Sequence, residues 1–133
     1  MKIHHIGIAT SEKNIKNYFF KPNKKFNYID KNQNNKLVIG YNKDNDLWVE
    51  FIIPLNKKST VQNFLNKHGS SIHHMAYYVK DLKKIKKKYL NRVGYIYVDS
   101  FQINIPCFGG QMETMFFYNN NIFIEFLSKY NKT

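Results

Sequence analysis

The chain has 133 residues, with 43% hydrophobic and 17% aromatic content and a formal charge of +12. That is enough for one compact domain or two small modules with a core. No apolar run approaches the roughly 20 residues of a membrane span. The start, Met1-Lys2-Ile3-His4-His5, lacks the apolar stretch of a signal peptide and reads as part of the fold.

The charge comes from 21 Lys and Arg against 9 Asp and Glu, but Arg92 is the only arginine. Nucleic-acid surfaces lean on arginine for bidentate contacts, so the lysine excess reads as a solvated surface, and no nucleic-acid or membrane partner is expected. Cys107 is the only cysteine. It has no intrachain disulfide partner, which fits a reducing, cytoplasmic setting.

In chain order, residues 2–9 predict a strand. Ser11 starts a helix running to about Phe20, with Ile15, Tyr18 and Phe19 on one face. Pro22-Asn23 stops it. Strands follow at 26–30, 36–42 and 46–53, separated by the polar turns 30–35 and 42–46. Pro54 closes this first unit. Residues 59–68 predict a connecting helix capped by Ser59 or Thr60 and ended by Gly69.

The order then repeats. A strand at 71–79 precedes a helix from the Asp81 cap to about Arg92, stopped by Gly94. Its run Lys83-Lys84-Ile85-Lys86-Lys87-Lys88 is the wet face of an amphipathic helix. Strands at 95–99, 111–118 and 121–128 complete the second unit, with a longer loop at Ser100–Gly110. The fold class is therefore α+β: two βαβββ modules, about 1–57 and 70–133, joined by the helix at 59–69, in one domain spanning 1–133.

Each module opens its first strand with a histidine pair, His4-His5 and His73-His74, and places a glutamate inside its last strand, Glu50 and Glu125. Histidine and glutamate are poor residues to bury alone. Strand alternation puts His5 on one face with Gly7 and Ala9, and His74 with Ala76 and Tyr78. The small neighbours leave room beside each histidine. His4 and His73 point the other way. If the modules are related by a pseudo-twofold axis, His5, Glu50, His74 and Glu125 converge on one divalent ion. Two imidazoles and two carboxylates suit Zn, Mn, Co, Ni or Fe(II). Positions left open on such an ion point to catalysis.

These same residues resemble the vicinal oxygen chelate superfamily and, within it, methylmalonyl-CoA epimerase. The matching stretches are His5-Ile6-Gly7-Ile8-Ala9, Glu50 to Pro54-Leu55, Ser59-Thr60-Val61 with Phe64-Leu65, Lys67 and Gly69, His73-His74-Met75-Ala76, and Ile124-Glu125-Phe126. The resemblance covers nearly the whole chain. It implies metal ligands at His5, Glu50, His74 and Glu125, a cupped, barrel-like mixed sheet, and often a homodimer. It also implies proton removal next to a carbonyl of a small-molecule substrate, an acyl-CoA thioester in the epimerase case, with Glu125 as the candidate base.

The epimerase has a further glutamate on a strand before the first carboxylate ligand; Lys36-Leu37-Val38-Ile39-Gly40-Tyr41 has none. Many relatives carry an arginine after the Gly-Gly turn; here Gly109-Gly110 is followed by Gln111-Met112. Glyoxalase I, which uses the same ligand types, is the first alternative, and a non-catalytic small-molecule-binding or resistance protein of the same fold is the second. Glu113 is a candidate for the missing base, although an exposed strand charge explains it better. Cys107 reads as a spectator thiol.

Overall fold

The structure is a computed structural model that describes residues 1–18 and 22–130. Two compact units divide the chain: His5–His73 forms one, and Met1–His4 with the chain from His74 onward forms the other.

The first unit holds most of β1 (Lys2–Ala9), then α1 (Glu12–Ile15), β2 (Lys24–Asp30), β3 (Asn35–Asn42), β4 (Leu47–Pro54) and α2 (Gln62–His68). The second holds most of β5 (Ser71–Tyr78), then α3 (Leu82–Tyr89), β6 (Ile96–Ile105), β7 (Gly110–Asn119) and β8 (Ile122–Lys129). Within the first unit the strand order is β2-β3-β4-β1, and within the second it is β6-β7-β8-β5. In both, the first strand runs parallel to the last, and the other pairings are antiparallel. The βαβββ repeat expected from the sequence is thus present twice with one topology. Among the described residues no helix is long and apolar enough to cross a membrane.

Each sheet has two chemically distinct faces. In the first unit, Ile8, Val38, Val49, Phe51 and Ile53 form a buried cluster against which Ile15 and Tyr18 pack. In the second, Val79, Tyr89, Met115, Phe117 and Phe126 do the same, with Leu82 and Ile85 of α3 laid over them. Burying such side chains stabilises by about 1.5–3 kcal/mol each, and alternation sends the intervening residues to the opposite face. That opposite face carries His5 and Glu50 in one unit, and His74 and Glu125 in the other.

Three expectations change. The first helix stops at Ile15, and Ser11 makes no side-chain cap. Asn14 and Asn17 lie in the run, and asparagine is a poor residue for a helix interior; Asn14 spends its amide on Ser70 Oγ at 3.1 Å, a contact far away in the sequence. The proposed extension through Phe19 and Phe20 lies outside the described residues. Next, Ser100–Gly110 is not a loop. β6 continues to Ile105, paired through Ile105↔Gly110, and only Pro106–Phe108 forms a short 3₁₀ turn. Gly109 and Gly110, at φ 104° and 102°, close it, as only glycine does easily. The third change is at the linker helix, which starts at Gln62. Ser59 instead accepts the Val61 N–H at 3.1 Å and donates to Asn35 Oδ1, while Thr60 Oγ1 accepts from Asn35 Nδ2 at 3.0 Å. Both hydroxyls tie the linker to β3 rather than capping the helix.

Asp81 caps α3 as expected, accepting the Lys84 N–H at 3.2 Å. β6 contains an irregularity: Tyr97 pairs with Phe117 but Asp99 pairs with Phe116, which leaves Val98 as an extra residue. This is a β-bulge.

Candidate metal centre

In the first unit β1 and β4 lie side by side in parallel, with His5 beside Trp48 and Gly7 beside Glu50. In the second, His74 lies beside Phe123 and Ala76 beside Glu125. The register is identical: the residue two after the histidine flanks the glutamate. A histidine and a glutamate offset in this way reach toward each other over a small residue, glycine in one case and alanine in the other. His5 Nε2 stands 3.3 Å from Glu50 Oε2, and His74 Nε2 stands 3.2 Å from Glu125 Oε2.

All four side chains are buried: His5 is 1% exposed, Glu50 8%, His74 2% and Glu125 3%. Burial of an ionisable group is tolerated when it is paired or binds a metal. The separations suit a metal within each pair. Two donors bound to one ion at about 2.0–2.2 Å, in adjacent tetrahedral or octahedral positions, stand about 3.0–3.5 Å apart. The N/O donor types suit a borderline divalent ion.

The strand beyond each glutamate distinguishes the modules. Ile39 of β3 is registered with Glu50, and Phe116 of β7 with Glu125. Two residues earlier stand Leu37 and Thr114. Thr114, 1% exposed, donates from Oγ1 to Glu125 Oε1 at 2.6 Å. Leucine at the matching position has no hydroxyl to offer. Sequence reasoning missed Thr114; the available signal was a polar residue in phase with Met112 and Phe116 on the ligand-bearing face. Phe116 also sets its ring edge-on to His74, with centroids 5.6 Å apart, and this limits how the imidazole can turn.

The remaining candidates fall elsewhere. Glu113 pairs with Gln102 and Ser128 and alternates away from Thr114 and Phe116, so it lies on the α3 side of its sheet, not with Glu125. His4 meets the edge of Phe108 at 4.5 Å and His73 the edge of Phe64 at 4.9 Å. Both face away from the metal-type pairs, as alternation predicts. On β3, no carboxylate lies between Lys36 and Tyr41. Tyr41, in phase with Ile39, hydrogen-bonds Asp46 through its hydroxyl. That bond to a carboxylate pushes the phenol above its usual pKa of 10.0, with smaller contributions from burial and the Asp46 charge.

The fold is shared with solved structures. Methylmalonyl-CoA epimerase from Mycobacterium tuberculosis matches at a TM-score of 0.75 and 17% identity, over 97% of this chain and 88% of that one. A hypothetical protein from Bacillus halodurans C-125 matches at 0.73 and 22% identity, over 99% and 96%. A methylmalonyl-CoA epimerase in complex with methylmalonyl-CoA and NH4+ matches at 0.70 and 17%, over 96% and 94%. No curated protein matches the sequence. Residues 4–106 match the Glyoxalase/Bleomycin resistance protein/Dioxygenase superfamily. The duplicated βαβββ topology and the family match over most of the chain lead to one assignment: this protein belongs to the glyoxalase/bleomycin resistance protein/dioxygenase superfamily, the vicinal oxygen chelate group.

Proposed function

We propose that the chain is a metal-dependent isomerase or epimerase that removes a proton next to a carbonyl, with an acyl thioester of the CoA type as substrate. In this reading His5, Glu50, His74 and Glu125 hold one divalent ion. The supporting observation is the duplicated pair: the same buried histidine and glutamate, in the same register, at 3.3 and 3.2 Å. A divalent ion in that set supplies Lewis acidity to a carbonyl oxygen and so acidifies the adjacent C–H.

The chain's own residues do the rest. Glu125 is the proton acceptor. Thr114 donates to its Oε1, which fixes the carboxylate plane. Gly7 and Ala76 leave space beside the carboxylates. Burial keeps water from competing for the proton. Returning the proton to the opposite face of the carbon needs a second group.

The bare stretch Lys36–Tyr41 favours a second reading, a glyoxalase I-like isomerisation in which one base moves a proton between neighbouring carbons. Intact donor pairs in both modules argue against a purely sequestering protein. A cytoplasmic setting and a homodimer complete the proposal, the first supported by the single cysteine and the second by the family resemblance; sedimentation velocity tests the dimer.

Elemental analysis of the purified protein should find one divalent ion per chain, and Glu125→Gln should lose it. In heavy water, deuterium should enter the α-carbon of an acyl-CoA, with methylmalonyl-CoA tried first, and chelator should stop it. Turnover of the glutathione hemithioacetal of methylglyoxal instead moves the assignment to glyoxalase I. A metal-free protein with neither activity rejects both.

A further inference from the structure

The side of the second sheet that faces α3 holds a cleft of about 330 Å³, walled by α3 on one side and by β6 and β7 on the other. Ligand clefts span roughly 300–1,000 Å³, so this one suits a small molecule. All of its lining belongs to one unit. Register turns Gln102 and Glu113 into it, away from Glu125, so the cleft is separate from the metal-type pairs.

Its two walls carry opposite charge. α3 contributes Lys83 and Lys86, about one helical turn apart and so on one edge of the helix. In the run Lys83 to Lys88, Lys86 is the only half-buried lysine. Its Nζ lies over the Tyr97 ring at 4.5 Å, which positions the charge without neutralising it. β7 contributes Glu113, also half-buried, and β6 sets Gln102 beside it. Among the described residues Glu113 makes no ion pair and no side-chain hydrogen bond, and neither do Lys83 and Lys86. The floor is apolar: Leu82 packs against the buried cluster that includes Met115.

We propose that this cleft binds a small zwitterion, an α-amino acid with an aliphatic side chain: its carboxylate at Lys83 and Lys86, its ammonium at Glu113, and its side chain over Leu82 and Met115. Half-buried charges held apart carry a desolvation cost that neither recovers. A simple anion would meet Glu113, and a simple cation would meet two lysines; a ligand with both signs satisfies both walls. Such a ligand has no net charge, so the general attraction of a +12 surface for anions plays no part. Nothing in the proposal depends on a metal or on the proton transfer proposed above.

The test titrates L-leucine into the purified full chain at physiological salt and follows isotope-labelled methionine methyls by NMR. The Met115 methyl should shift saturably, while that of Met112, on the Glu125 side of the same strand, should stay in place and so report that the fold of each variant is intact. Glu113→Gln and Lys86→Met, which keeps the length of the stem, should each weaken binding roughly tenfold or more. N-acetyl-leucine, which lacks the ammonium, should bind the native chain as weakly as leucine binds Glu113→Gln, and leucinamide, which lacks the carboxylate, should lose a similar factor. No saturable shift at Met115 overturns the proposal. Equal binding of N-acetyl-leucine also overturns it, in favour of a plain anion site. Leucine binding that moves Met112 instead and ignores both variants is chelation of a bound ion, and likewise overturns it.

Discussion

At position 114 a hydroxyl meets Glu125 Oε1 at 2.6 Å, while the matching position beside Glu50 is Leu37. A donor to a buried carboxylate both orients it and stabilises its ionised form. Replacing the hydroxyl by a methyl keeps the volume and removes only the bond. Thr114→Val should destabilise the fold by about 1.5–3 kcal/mol and weaken metal retention roughly 10–100-fold, read by urea unfolding and by chelator competition. Tyr41 gives a second check. Its pKa is raised by the hydrogen bond to Asp46, so in the folded state the phenol should ionise later than free tyrosine, and Asp46→Asn should remove the delay in an ultraviolet titration. A raised folded pKa means this contribution is full below the unfolded value of about 10 and is lost as pH rises through the folded one. Both glutamates and both histidines are legible in the sequence because a repeat exposes them. Thr114 is not, because only strand register reveals which oxygen it reaches.

Local sequence signals explain some elements and mislead on others. Asp81 and the lysine-rich face of α3 announce a helix, and the helix forms. β6 hides because Ser100, Gln102 and Asn104 resemble loop residues, yet they alternate with Phe101, Ile103 and Ile105, and the ladder from Asp99↔Phe116 to Ile105↔Gly110 pairs them all. Tertiary pairing decides what composition obscured. α1 errs the opposite way: its apolar spacing fits a long helix, but its asparagines end it early. Gly40 marks a constraint that the sequence gives no hint of. A Cβ there would stand 2.2 Å from Pro22 Cβ and 2.5 Å from Pro22 Cγ, and a proline ring yields little. Gly40→Ala should therefore displace the chain entering β2 and cost about 1–3 kcal/mol, measured as a lower denaturation midpoint at unchanged m-value.

At the scale of the whole chain, each unit carries the same topology and the same buried histidine–glutamate pair, while the surroundings of the two pairs differ. An ion that binds only the folded chain stabilises it by about 2.7 kcal/mol at a hundred times its Kd. Stripping it should lower the melting temperature by roughly 10 °C for a chain of this size, reversibly on adding metal back, as calorimetry would show. The topology of the units was readable because each repeats a βαβββ order. The chemistry of the faces was not, because it depends on parity along strands whose ends and irregularities the sequence does not mark. Val98 is the sharpest case. Tyr97 lies opposite Phe117 on the α3 side and Asp99 opposite Phe116 on the Glu125 side, although the two stand only two residues apart, and the pairing is regular on both sides of the extra residue. Losing the Val98 codon would thus relax the twist of an edge strand while leaving Phe101 opposite Thr114, so a length change at this point is one the lineage could tolerate without altering what either side of the sheet presents.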